Sequence, residues 1–175
     1  MIYIVCVGNL KEKYLVDACN EYLKRLSRFD KVEVIECKES TLTPYTNALK
    51  AEAVEINKHL KGYVIKLAIK GKMLSSEQLA LKIEDIKANR NNDISFIIGS
   101  SHGIDESVKS DYDLSISNMT FPHQLTRVIL LEQIYRAYTI LNKTPYHKWY
   151  LEISIIFLLL CFITNVTKCL KIITK

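Results

Sequence analysis

A chain of 175 residues with 49% hydrophobic and 25% charged side chains is one domain's length, with enough apolar surface for a real core. Its net charge of +5 is mild, compatible with a nucleic-acid partner without demanding one. The five cysteines (Cys6, Cys19, Cys37, Cys161 and Cys169) are odd in number, far apart and without a C-x-x-C, which excludes a disulfide framework or a zinc site of ordinary spacing and suits a reducing cytosol.

The N-terminus lacks a basic n-region, and its apolar run is too short for a secretory segment, so a cytoplasmic chain is expected. That run, IYIVCVG, reads as a buried strand ending at Gly8. Leu15, Cys19, Tyr22 and Leu26 then recur at helical spacing. KVEVIECK is a second strand, and Leu49, Ala53, Ile56 and Leu60 mark one face of a second helix. YVIKLAI (63–69) is a third strand. A third helix buries Leu79, Ile83 and Ile86, and Ser75 and Gln78 have capping-box spacing at its start. DISFIIGS and YDLSISN are strands four and five, and Pro122 suits the first turn of a last helix, HQLTRVILLEQIYRAYTILNK.

Strands alternating with helices predict an α/β fold, a mostly parallel sheet with helices on both faces. Ligands in such sheets sit at the carboxyl ends of the strands. That rule selects KGKMLSS after strand three, GSSHG after strand four and NMTFPHQ after strand five. All three carry glycine or small polar residues that let backbone approach a ligand.

GSSHG also fits the nucleophile elbow G-x-S-x-G, with Ser101 as nucleophile, Asp111 or Asp113, and then His123 or His147 in the required order. The elbow needs a substantial helix directly after the serine, and IDESVKSD is too short for one, so a glycine-rich ligand loop is the preferred reading. Arg127 and Arg136 lie among leucine, isoleucine and valine in the last helix, and Glu132 can pair with Arg136. The plain reading is two arginines reaching out to water. Against it, His123, Arg127 and the later PYHK gather near the ends of one helix, where arginine suits phosphate or carboxylate and histidine suits proton transfer. There is no P-loop, no G-x-G-x-x-G after strand one and no H-E-x-x-H, so no metal is expected.

VGNLKEKYLVDACNEYLKRL, LAIKGKMLSSEQLA, FIIGSSHGI, LSISNMTFPHQLTRVILLEQIYRAY and PYHK together resemble the RlmH-type 23S rRNA methyltransferases of the SPOUT superfamily, over residues 1–148. The resemblance implies a sheet whose C-terminal part is tied into a trefoil knot, and a homodimer. It implies methyl transfer from S-adenosyl-L-methionine to N3 of a pseudouridine, position 1915 in the usual 23S rRNA numbering, on the ribosome. By motif position the cofactor pocket would be Leu67, Gly99, Ile116, Ser117, Asn118, Met119, Thr120 and Phe121. The catalytic set would be His123, Arg127, Arg136, Tyr146 and His147, with Tyr146 and His147 coming from the facing subunit. His123, Tyr146 and His147 are the candidate acceptors of the N3 proton, and Arg127, Arg136 and Lys148 would hold RNA phosphates.

Two features depart from the family. Gly99-Ser100 stands where two glycines are usual, so a Cβ at Ser100 would crowd the cofactor or strain the turn. The chain also continues past PYHK through 149–175, making 149–175 an atypical apolar extension of a domain at 1–148. A membrane span needs about 20 apolar residues. The run from Trp149 to Ile163 is shorter and contains Glu152 and Ser154, so packing on the domain or dimer surface is favoured over membrane contact.

Overall fold

All six residues of the first strand, β1 (Ile2–Val7), are buried. So are all five of β4 (Ile94–Ile98), the strand beside it. Continuous apolar runs are what strands covered on both faces require. The computed structural model describes residues 1–89 and 93–146, so the expectations placed on His147, Lys148 and 149–175 lie outside the described residues.

Between these strands come α1 (Lys13–Leu26), β2 (Val32–Cys37), α2 (Tyr45–His59), β3 (Tyr63–Met73) and α3 (Ser76–Asn89). After β4 come β5 (Tyr112–Ser115) and α4 (His123–Leu141). The five strands form one sheet in the order β2-β1-β4-β3-β5. Every pairing is parallel, as the alternation of strands and helices predicts.

The side chains of β1 alternate between two cores. Ile2, Ile4 and Cys6 join Cys19 and Leu26 of α1, Ile83 and Ile86 of α3, and Leu130, Leu131 and Ile134 of α4. Val5 and Val7 join Ala53 and Ile56 of α2 on the opposite face. Three helices therefore cover one face and α2 covers the other. The Ser75–Gln78 box forms as its spacing predicts: Gln78 N–H donates to Ser75 Oγ (3.2 Å), and Ser75 N–H to Gln78 Oε1 (2.9 Å).

Two elements differ from expectation. In α2 the buried face includes Glu52, because its carboxylate accepts the Ser40 N–H at 3.0 Å and so holds the loop after β2. β3 does not end at residue 69 but runs on to Met73. Its pairing with β5 breaks on the way: Leu67 and Lys72 both face Leu114, so residues 68–71 bulge from the ladder. That bulge shapes the site.

Candidate active site

A cavity of about 600 Å³ opens where β3, β4 and β5 end at their carboxyl edge. This is the volume of a pocket for a molecule of cofactor size. Its walls come from three segments: the β3 bulge with Leu67, Ala68 and Ile69; the loop after β4; and the stretch from Ser115 into α4. Of the residues expected to hold a cofactor, Leu67, Gly99, Ile116, Ser117, Met119, Thr120 and Phe121 line this one cavity. Asn118 is not among the lining residues. The KGKMLSS segment differs from expectation. Its first four residues belong to β3, and Leu74, Ser75 and Ser76 line a second, smaller cavity of about 290 Å³.

The loop after β4 folds tightly on itself. Gly103 N–H donates to the Ser100 carbonyl at 3.0 Å, and Gly103 has φ +98°, which favours glycine. A Cβ on Gly99 would lie 2.3 Å from the Gly103 carbonyl oxygen, so only glycine fits. Ser100 is another matter. It is not among the residues of positive φ, so its Cβ strains no turn. Its hydroxyl is buried beside the cavity with no partner among the described residues, a group that water or a ligand must satisfy. In the next wall Ser115 Oγ donates to the Ser117 carbonyl (3.0 Å), and Met119 N–H donates to Ser117 Oγ (3.0 Å), so local bonds shape the 115–119 stretch.

His123 opens α4 and lines the cavity. Its Nε2 and a Glu39 carboxylate oxygen flank Gly8, 3.7 and 3.6 Å from the point a Cβ would occupy there. Gly8 has φ +82°, so the turn after β1 needs glycine, and the missing side chain leaves this corner open. One helical turn on, Arg127 is 2% exposed. It donates through Nη2 to the Gly8 carbonyl (2.8 Å) and through Nη1 to Glu36, while its Nε finds no partner among the described residues. Neither the solvated reading of Arg127 nor the phosphate-binding one matches this placement. Its guanidinium is enclosed and occupied, tying α4 to the ends of β1 and β2.

Arg136 and Tyr146 gather elsewhere. Arg136 is 13 residues beyond His123, a distance of about 20 Å along a helix. Its guanidinium pairs with Glu132 (Nη2 to Oε1, 2.5 Å) and lies 5.1 Å from the Tyr146 ring centroid. Tyr146 packs edge-on against Tyr135 at 4.8 Å. Burial above all, then a hydrogen bond with Tyr22 and the charges of Tyr22 and Glu132, push the Tyr146 phenol up to about 12 against the pull of Arg136. In this setting it stays a protonated phenol at neutral pH, able to donate a hydrogen bond but not to act as a base. One chain therefore does not bring His123 together with Arg136 and Tyr146.

Among the described residues the serine-hydrolase constellation does not assemble either. Ser101 Oγ lies 3.2 Å from Nδ1 of His102, its chain neighbour. Asp111 accepts the Val64 N–H (2.8 Å), and Asp113 accepts from Ser110 (2.5 Å). No helix follows Ser101 before β5. Sequence reasoning missed Gly8, Glu36, Glu39 and the β3 bulge. Gly8 carried a usable signal, a glycine ending a parallel strand, whereas Glu36 and Glu39 look like any surface carboxylates.

A family model described as "Predicted SPOUT methyltransferase" matches residues 1–147. The chain is 48% identical to "Ribosomal RNA large subunit methyltransferase H" of Bifidobacterium adolescentis, over 84% of this chain and 99% of that protein. It is 49% identical to the Clostridium botulinum protein of the same name and 44% identical to that of Acetivibrio thermocellus, with the same coverage in both cases.

Proposed function

The chain belongs to the SPOUT methyltransferase family, and from that premise we propose that it methylates N3 of pseudouridine 1915 in 23S rRNA of the large ribosomal subunit, using S-adenosyl-L-methionine. The observation that carries this reading is the cavity. The loops after β4 and β5, selected in the sequence as strand-end loops, and Leu67, Ala68 and Ile69 of β3 are far apart in the chain yet wall a single space of cofactor volume.

The residues present fit the donor. Leu67, Ile69, Ile98 and Phe121 offer apolar walls for a flat purine, and the backbone of 99–103 and 115–121 together with Ser100 Oγ offers polar groups. S-adenosyl-L-methionine carries its methyl on a sulfonium that is its own leaving group, so no covalent nucleophile or metal is called for. The protein's task is alignment and proton removal. Leu67, Gly99, Ile116, Ser117, Met119, Thr120 and Phe121 hold the donor, and Asn118 keeps its place in the same loop. His123 Nε2 accepts the N3 proton, with His147 of a facing protomer as the alternative acceptor. Arg127 positions His123 by gripping the Gly8 turn. Arg136 and Lys148 hold RNA phosphates, and Tyr146 donates a hydrogen bond to the substrate.

The family resemblance implies a homodimer, and the distance of Arg136 and Tyr146 from His123 supports one in which each cavity is completed by the α4 end of its partner. The proposal includes the family's trefoil knot in the C-terminal part, in keeping with β5 at the sheet edge and α4 packed against α1 and α3. It also includes a methyltransferase domain at 1–148, an accessory extension at 149–175 and action in the cytoplasm. Among the described residues no helix is long and apolar enough to cross a membrane.

The test supplies labelled donor and ribosomes lacking this modification. Label should enter 23S rRNA at the pseudouridine, and His123→Ala should slow transfer roughly 10²- to 10⁴-fold. A chain stopped after Lys148 should retain transfer. Donor binding with no label in any RNA would overturn the enzymatic reading.

A further inference from the structure

The loop after β4 has two sides. Ser101 and Gly103 line the cavity, while His102 between them is not part of the lining. The His102 ring stacks instead on Tyr45, the first residue of α2, with centroids 5.7 Å apart and planes within 13°. This pair is not core packing. Tyr45 is 59% exposed, His102 is exposed, and nearby Leu42 is 54% exposed. Two nearly parallel rings are thus held in solvent, one residue from the rim of the cavity.

We propose that Tyr45 and His102 form a stacking platform for an unpaired RNA base flanking the methylated position. This rests on the RNA methyltransferase reading above. Base faces and aromatic rings stack whatever the base, and single-stranded RNA is recognised largely in this way. A nearly parallel, stacked pair one residue from the rim of a methyl-donor pocket extends outward the surface a splayed nucleotide would meet. The adenine of the donor is the other flat ring available, but its cavity lies on the inner side of the loop, away from Tyr45. The net charge of +5 favours a polyanion over an apolar protein partner. Ser101 Oγ, 3.2 Å from His102 Nδ1, orients the imidazole in the stack.

The experiment uses the full chain and ribosomes lacking the modification whose 23S rRNA carries fluorescent aminopurine beside the target pseudouridine. Wild type should quench the fluorescence on binding. Tyr45→Ala should abolish the quench and raise the RNA KM roughly 5- to 100-fold, the range for one base stack, with kcat and donor affinity nearly unchanged. Tyr45→Trp should restore both, because it keeps a flat face. Equal quench and KM in Tyr45→Ala, or Tyr45→Trp failing like Tyr45→Ala, would overturn the platform. A loss of donor affinity in Tyr45→Ala would assign the stack to the donor's adenine and also overturn it. Wild-type quench without methyl transfer would leave the platform standing while the enzymatic reading falls. Transfer with no quench would do the reverse.

Discussion

Gly99 shapes a wall of the cavity, and Arg127 holds the Gly8 turn beside His123. A Cβ at Gly99 meets a backbone carbonyl at 2.3 Å, and backbone cannot swing aside as a side chain can. Gly99→Ala should therefore displace the 99–103 loop and lower donor affinity at least tenfold in calorimetric titration while the protein stays folded. Arg127→Ala removes an enclosed cation and its hydrogen bonds to Glu36 and the Gly8 carbonyl. Glu36 is 37% exposed and can recover water, so the loss should fall below the full penalty of a buried pair, at about 2 kcal/mol in urea unfolding. The same substitution should lower kcat, since the turn facing His123 is no longer held. Ser100 behaves differently: at a position of ordinary φ it strains nothing, and its unpartnered hydroxyl faces the binding space.

Among the elements, α4 is held at two points along its length. Near its start Arg127 ties it to β1 and β2. Near its end Tyr138 donates to Asp30 at 2.6 Å, and Lys87 of α3 reaches the same carboxylate at 2.5 Å. Burial pushes the Asp30 carboxyl up, but the hydrogen bonds from Lys87 and Tyr138, with the charges of Lys87 and the N-terminal ammonium, outweigh it and hold the carboxyl below the usual range. A depressed folded pKa stabilises above the free value of about 3.9 and is lost as the pH falls through the folded value. Asp30→Asn should cost about 2 kcal/mol at pH 7, the worth of its charged hydrogen bonds. It should also flatten the acid limb of the stability curve. If mutant and wild type lose equal stability between pH 7 and pH 3, Asp30 does not join these helices electrostatically.

At the scale of the whole molecule, the two ends of α4 are the central fact. His123 faces the cavity, while Arg136 lies about 20 Å further along the helix with the Tyr146 ring beside it. Under the proposed dimer, mixing His123→Ala chains with Tyr146→Phe chains should recover activity that neither has alone. One of the two cavities in each mixed dimer then carries both intact residues, so up to half the wild-type rate per mixed dimer is expected. No recovery in a preparation verified as mixed would show that these residues act within one chain.

Residue order and side-chain chemistry alone determined the element types, the parallel sheet, the Ser75–Gln78 cap and the two loops, after β4 and β5, that wall about half of the cavity. These follow from local periodicity and from the rule that ligands sit at strand carboxyl ends. They were legible because each signal lies within a few residues of the feature it predicts. The SPOUT family was legible too, since its motifs are long and lie in those same segments. Only the tertiary structure decided the rest. A solvated and an enclosed arginine are the same letter, and Arg127 is enclosed because Glu36, 91 residues earlier, comes to meet it. The β3 bulge depends on pairing with β5, and the Tyr45–His102 stack on the loop after β4 meeting the start of α2. Contacts between distant segments leave no periodic trace in the chain, so they emerge only when packing brings those segments together.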